Sequence, residues 1–178
     1  MSTLFRAVVA KTAGVALLGL TACSGGSPER TAGGEATTSA EAAPGLESFD
    51  VCNFLAPDDL SAAGVAGPGE PDNNLKSEPG CNYSGTKMDL TLYKVPGTTF
   101  EKYTTQGNFA EIEPFEIGGR KAATGVTTGS QGQGICSTFL DAAGGTIIVT
   151  VTGEDRDSVD ACGESRKVAE RVSPRLPE

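Results

Sequence analysis

The chain has 178 residues, with 14 basic and 23 acidic side chains, no histidine and no tryptophan, and a formal net charge of −9. So acidic a chain lacks the basic surface with which a nucleic-acid binder displaces phosphate counterions, and the cations of a polybasic membrane patch. Without histidine, neither a Ser-His-Asp nor a Cys-His catalytic arrangement can be assembled, and zinc and copper ligand sets are poorly supplied.

Residues 1–22 read as a targeting segment. Arg6 and Lys11 give a positive start, and Thr12 to Leu20 (TAGVALLGL) is an uncharged apolar run of about nine residues. That is too short to span a bilayer, which takes roughly 20 residues, but it suits a signal-peptide core. Leu20-Thr21-Ala22-Cys23 follows and resembles the bacterial lipobox. The resemblance implies that the Cys23 thiol takes a diacylglycerol and that the chain is cut before it. Two or three acyl chains make a stable anchor where one is only marginal. The alternative is an ordinary secretory signal with a chance cysteine at the cleavage point. Cleavage would remove two cations and no acid, leaving 12 basic against 23 acidic residues.

Residues 23–47, the lipidated Cys and a stretch of Gly, Ser, Thr, Ala, Pro and Glu, read as a disordered tether in which Leu46 is the one large apolar residue. Such a composition cannot bury enough surface to offset the entropy of ordering. Residues 48–178 have the usual size of one domain. They hold four cysteines, Cys52, Cys81, Cys136 and Cys162, and an even number in an exported chain reads as two disulfides.

In chain order, Ala56 to Gly64 predicts a short helix, with Pro and acids in its first turn and Gly as its stop. Val65 to Pro71 is dense in Gly and Pro and reads as a loop. Cys81 to Ser84 and Met88 to Val95 predict a hairpin about a Gly85-Thr86 turn, and Met88, Leu90 and Leu92 share one side of the second strand. Thr98 lies three residues before Glu101, a capping-box spacing that predicts a helix through about Gln106. Phe115 to Ile117 and Arg120 to Val126 flank Gly118-Gly119, a pair suited to a two-residue hairpin turn. Gly134 to Asp141 and Thr146 to Thr152 flank a turn over Ala142 to Gly145. Asp157 to Val172 predicts a closing helix with Val159, Cys162, Ala169 and Val172 on one face, interrupted by Gly163.

Helix, hairpin, helix, four-stranded meander and closing helix make an α+β fold, an antiparallel sheet with helices packed against it. Three disulfide connectivities are possible. The element order favours Cys52 with Cys81, joining the first helix region to the first hairpin, and Cys136 with Cys162, joining the closing helix to the sheet. Each closes a loop worth roughly 3 to 4 kcal/mol on the chain-entropy account.

The lipobox Cys23, the tether, Asp50-Val51-Cys52 with Leu55 and a helix ending at Gly64, then Cys81-Asn82-Tyr83, Cys136 and Asp160-Ala161-Cys162 together resemble the actinobacterial lipoproteins of the domain of unknown function 3558 family. The resemblance spans Cys23 to Val172. One departure is Tyr83, where the family pattern implies tryptophan. The family carries no assigned activity, so the resemblance implies placement and fold rather than chemistry.

Candidate chemistry is sparse. Gly129-Ser130-Gln131-Gly132 lacks the glycine that a nucleophile elbow places two residues before its serine, because Thr128 stands there. Gly132-Gln133-Gly134 opens no helix that would cradle a phosphate. Glu154, Asp155, Asp157, Asp160 and Glu164 lack the spacing of a calcium loop, and Asp157 and Asp160 suit the start of a helix. Glu111, Glu113 and Glu116 read as solvated. No catalytic, metal or cofactor residue is assigned.

The reading is of a lipoprotein anchored to the cell membrane through Cys23 on the extracytoplasmic face, a non-catalytic binding or accessory module for an envelope ligand or partner protein. A carboxylate-dependent cell-wall hydrolase or transferase is the alternative. A binding module should show an apolar-lined cleft, whereas an enzyme should show two carboxylates facing one cavity.

Overall fold

The structure is a computed structural model and describes residues 45–178. The signal segment, Cys23 and nearly all of the expected tether lie outside the described residues. The fold begins slightly before the Ser48 boundary, because Leu46, in a short 3₁₀ turn (Leu46–Ser48), is buried in the core. A single large apolar residue in a polar stretch was the signal for that turn.

The elements that follow are α1 (Pro57–Ala63), β1 (Val65–Asp72), β2 (Gly80–Gly85), β3 (Met88–Pro96), α2 (Phe100–Thr105), β4 (Phe109–Ile117), β5 (Arg120–Thr127), β6 (Ile135–Ala142), β7 (Gly145–Gly153) and α3 (Ala161–Val172), closed by a 3₁₀ turn (Ser173–Arg175). The strands form one seven-stranded sheet in the order β1-β2-β3-β7-β6-β5-β4. All neighbouring pairs are antiparallel. The meander β4 to β7 and the hairpin β2–β3 were both expected. They join where β3 lies along β7, from Met88 opposite Gly153 to Pro96 opposite Gly145.

Alternation divides the sheet into two faces. Met88, Leu90 and Leu92 of β3 are buried on the same side as Ile147, Val149 and Val151 of β7, and α3 covers them with Val168, Ala169 and Val172. On the other side α2 covers only one end of the sheet, where Phe100 packs with Val95, Ala123, Phe139 and Ile148. Tyr103, Phe109 and Phe139 stack there at tilted angles, the Phe109 and Phe139 rings 4.8 Å apart.

The disulfides are Cys52–Cys81 and Cys136–Cys162, with Cα separations of 5.1 and 5.0 Å. The first ties the segment before α1 to β2, and the second ties α3 to β6. The α+β expectation and its pairing hold.

Four local expectations fail, each for a physical reason. Val65 to Pro71 is not a loop but most of β1, paired from Val65 opposite Gly85 to Asp72 opposite Gly80, with an irregularity between Ala66 and Glu70. As an edge strand it has one neighbour to satisfy, so it accommodates Pro68 and Pro71 where an inner strand would not. The other edge strand, β4, starts at Phe109 rather than Phe115 and also carries a proline, Pro114. After the half-buried Phe109, residues 110–114 are exposed whichever way they face, so no alternation marks them.

The cap of α2 is Thr99, not Thr98. Its side chain accepts from the Lys102 backbone N–H at 3.3 Å, and no glutamate completes a capping box. The closing helix starts at Ala161, four residues later than expected. Ser158 holds the preceding segment in a loop by donating to the carbonyls of Lys87 at 2.9 Å and Asp155 at 2.8 Å. Such side-chain bonds offer the backbone an alternative to helix. Asp160 is the cap, accepting from Gly163 N–H at 3.0 Å, while Asp157 and Val159 precede the helix. A Cβ on Gly163 would collide with the Asp160 carboxylate, so the glycine that interrupts the pattern makes room for the cap.

Candidate functional site

Two tight turns build a cleft at the end of the sheet where β4 finishes and β7 begins. Gly118 and Gly119 take φ of 59° and 85° and reverse β4 into β5 in two residues, as their spacing predicted. Ala143 and Gly144 do the same between β6 and β7, with Gly144 at φ 80°. Between these turns, the start of α2 and the 3₁₀ turn after α3 lies a cleft of about 840 Å³. Ile117, Ala142, Ala143 and Pro174 give it apolar wall, and Arg120, Lys121, Asp141 and Glu178 give it charge.

The two cations are already engaged. The Arg120 guanidinium donates to the backbone carbonyls of Asp141, Leu176 at 3.2 Å and Pro177 at 3.1 Å, fastening the segment after α3 to the sheet. Lys121 pairs with Glu101 of α2 across the surface. The pairing draws the Glu101 carboxyl below its ordinary range and raises the Lys121 ammonium, in both cases chiefly through the hydrogen bond between them. Both side chains are more than half exposed, so water and salt screen the attraction. Asp141 and Glu178 face the same cleft beside Arg120 and Lys121, so it departs from the apolar lining expected of a binding module and holds the two carboxylates in one cavity expected of an enzyme.

The chain enters the folded domain beside this cleft. Leu46 N–H donates to the Ala143 carbonyl at 3.3 Å, and Ala143 N–H donates to Pro177 at 3.2 Å. Lys94 reaches back from β3 to hold the entering segment, donating to the carbonyls of Glu47 at 2.8 Å and Phe49 at 2.7 Å.

The residues singled out in the sequence are dispersed. Cys52, Cys81, Cys136 and Cys162 are consumed in disulfides. Residues 129–134 form the β5–β6 loop at the opposite end of the sheet, with the Gln131 and Gln133 side chains bonded to Gly129 backbone at 2.6 and 2.8 Å. Glu154, Asp155 and Asp157 are exposed or half-exposed near that end, while Glu164 pairs with Lys167 at 2.8 Å. Glu111, Glu113 and Glu116 are exposed on β4. Among the described residues, no three His, Cys, Asp or Glu side chains come together as a metal site. Tyr83, standing where the family resemblance implied tryptophan, is 2 % exposed and fills a core position beside the first disulfide.

Sequence reasoning missed Thr99, Arg120, Asp141 and Ala143 as cleft residues. The available signal was Arg120-Lys121 directly after the Gly118-Gly119 turn, two cations at the mouth of a hairpin.

The model of a family described as a protein of unknown function, DUF3558, matches residues 18–175. The chain belongs to the DUF3558 family. The match includes every cysteine of the chain, Cys23 among them, and the whole cleft except Glu178. Neither a curated protein nor a solved structure matches. Among the described residues, no helix is long and apolar enough to cross a membrane.

Proposed function

We propose that this DUF3558 protein is a membrane-anchored cell-envelope lipoprotein of the actinobacterial type, held by acyl chains on Cys23 at the extracytoplasmic face. Its folded domain is a non-catalytic binding or accessory module that takes an envelope ligand or a partner's side chain into the cleft beside Ala143. The anchor rests on the apolar run Thr12 to Leu20 and the Leu-Thr-Ala-Cys motif. The binding reading rests on one observation. Arg120 is committed to three carbonyls and Lys121 to Glu101, so the cations of the cleft are already engaged and a visitor meets turn backbone and small apolar side chains beside the Asp141 and Glu178 carboxylates. Such a wall recognises shape and hydrogen-bonding pattern.

Two variants test the reading. Cys23→Ala should release the protein from membranes or leave it unprocessed, and a variant that still carries acyl groups overturns the anchor. Ala143→Phe narrows the cleft without touching a charge. Mass spectrometry of the detergent-extracted protein should find a co-purifying ligand that this variant lacks. The hydrolase alternative is favoured by Asp141 and Glu178 sharing the cleft. It requires that Asp141→Asn abolish turnover of cell-wall material, whereas the binding reading requires no turnover by either form.

A further inference from the structure

The hydrogen-bonding groups that line the cleft beside Ala143 define the chemistry of what can enter it. Arg120 gives three N–H donors to the carbonyls of Asp141, Leu176 and Pro177, and Lys121 gives one to Glu101. A guanidinium and an ammonium each carry more donors than that, so both heads are held in place with N–H groups to spare. Asp141 and Glu178 supply the acceptors. The ion pairs among the described residues use Glu101, Glu164 and Asp59. Asp141 meets Arg120 through its main-chain carbonyl, which leaves its carboxylate outside that contact. Glu101 first, and Asp141 at longer range, raise the Lys121 ammonium, so this carboxylate and the paired cation act on one space.

The charged lining is therefore balanced, with Arg120 and Lys121 against Asp141 and Glu178. An anionic visitor meets both carboxylates, and Glu47 and Glu101 beside the cleft repel it further. An ammonium meets both cations. Neither sign of charge is selected. A neutral hydroxyl suits both kinds of group at once, because it donates to a carboxylate and accepts from an N–H. Each carboxylate also offers two oxygens side by side. Neighbouring hydroxyls on one ring match such a pair, whereas a peptide backbone brings a single N–H per residue.

We infer that the cleft takes a neutral saccharide, with neighbouring hydroxyls on Asp141 and Glu178 and the C–H face of a ring against Ala143 and Pro174. The inference rests on the binding reading of this cleft and names its ligand class. The apolar wall of Ile117, Ala142, Ala143 and Pro174 supplies the surface for that face. The cleft volume of about 840 Å³ falls within the range of roughly 300–1,000 Å³ found for small-molecule sites.

The full protein, extracted in a detergent without a sugar headgroup, is screened by saturation-transfer NMR and titrated by calorimetry. Mannotriose, maltotriose and triacetylchitotriose are the probes, with trigalacturonate, n-pentylammonium and triglycine as anionic, cationic and peptide comparisons. At least one neutral trisaccharide should bind, about tenfold or more weakly to Asp141→Asn and not at all to Ala143→Phe. Glu178→Gln, beyond the last element of the fold, should weaken binding as well. Preference for any of the three comparisons overturns the saccharide class, and so does sugar binding that Ala143→Phe leaves unchanged. A ligand that co-purifies with the parent, is lost from Ala143→Phe and contains no sugar overturns the class and leaves the cleft reading standing. No probe sugar bound and no ligand lost from Ala143→Phe overturns both.

Discussion

The Tyr83 hydroxyl reaches the carbonyl of Cys52 at 3.0 Å, so a side chain two residues after Cys81 hydrogen-bonds the backbone of the cysteine to which Cys81 is joined. The neighbouring Val51 carbonyl, at 3.1 Å, shares the same donor. Covalent and polar links thus fasten one short segment at one point. Tyr83→Phe keeps the ring and removes the donor, leaving buried carbonyl capacity unmet, and should cost about 1 to 2 kcal/mol in urea unfolding. An unchanged midpoint would show that the disulfide alone holds the segment.

Gly69 of β1 lies over the same cluster. A Cβ there would collide with the Cys81 sulfur and come within 2.8 Å of the Tyr83 ring. The sulfur is fixed in a disulfide and the ring is buried, so neither can step aside. Gly69→Ala should therefore destabilise by about 1 to 3 kcal/mol, as overpacking in a filled core does. Gly67→Ala serves as a comparison: nothing lies within 4 Å of its added Cβ, and only the left-handed backbone, φ 86°, is strained.

The three tyrosines of the chain are all shifted the same way. Burial pushes the phenols of Tyr83, Tyr93 and Tyr103 up, assisted by Asp50, Asp72 and Glu78 respectively, and Tyr93 reaches about 12. In the unfolded chain these groups ionise near pH 10. The folded form holds its protons longer, so their contribution is complete below about pH 10 and is lost as pH rises toward 12 and beyond. Denaturant midpoints measured from pH 8 upward should fall across that window, and Tyr93→Phe should flatten part of the slope. A midpoint insensitive to pH there would contradict the buried phenols.

Replacing Cys136 and Cys162 together by Ser should cost about 2 to 5 kcal/mol. The inner face of α3 is made of small residues, with Ala161, Ser165 and Ala169 among those buried, so its packing alone is modest. Limited proteolysis should cut the variant first near α3. Non-reducing peptide mapping of the parent checks the pairing, and a peptide linking Cys52 to Cys136 would reject it.

What could be read in the sequence was what each residue states locally. β3 was legible because its two faces differ, with Met88, Leu90 and Leu92 inward and Asp89 and Thr91 outward. The disulfide pairing was legible because element order placed each pair together. β1 was not, since Pro68, Pro71 and two glycines look the same in a loop and in an edge strand with a single neighbour. The start of α3 was misread because acids before a helix signal its first turn, while the bonds of Ser158 that hold them outside it cross to the distant Lys87. The cleft was not visible at all. Its walls come from residues 99, 117–121, 141–145, 173, 174 and 178, brought together only when two hairpins, the start of α2 and the turn after α3 meet in the fold.

Both margins of the sheet carry proline, Pro68 and Pro71 on one side and Pro114 on the other. An incoming strand would meet positions that offer no N–H to complete a ladder. The prolines therefore blunt the sheet chemically at both edges. Copies crowded onto a two-dimensional surface, where strand edges meet far more often than in solution, would stay separate molecules instead of extending one another into a continuous sheet.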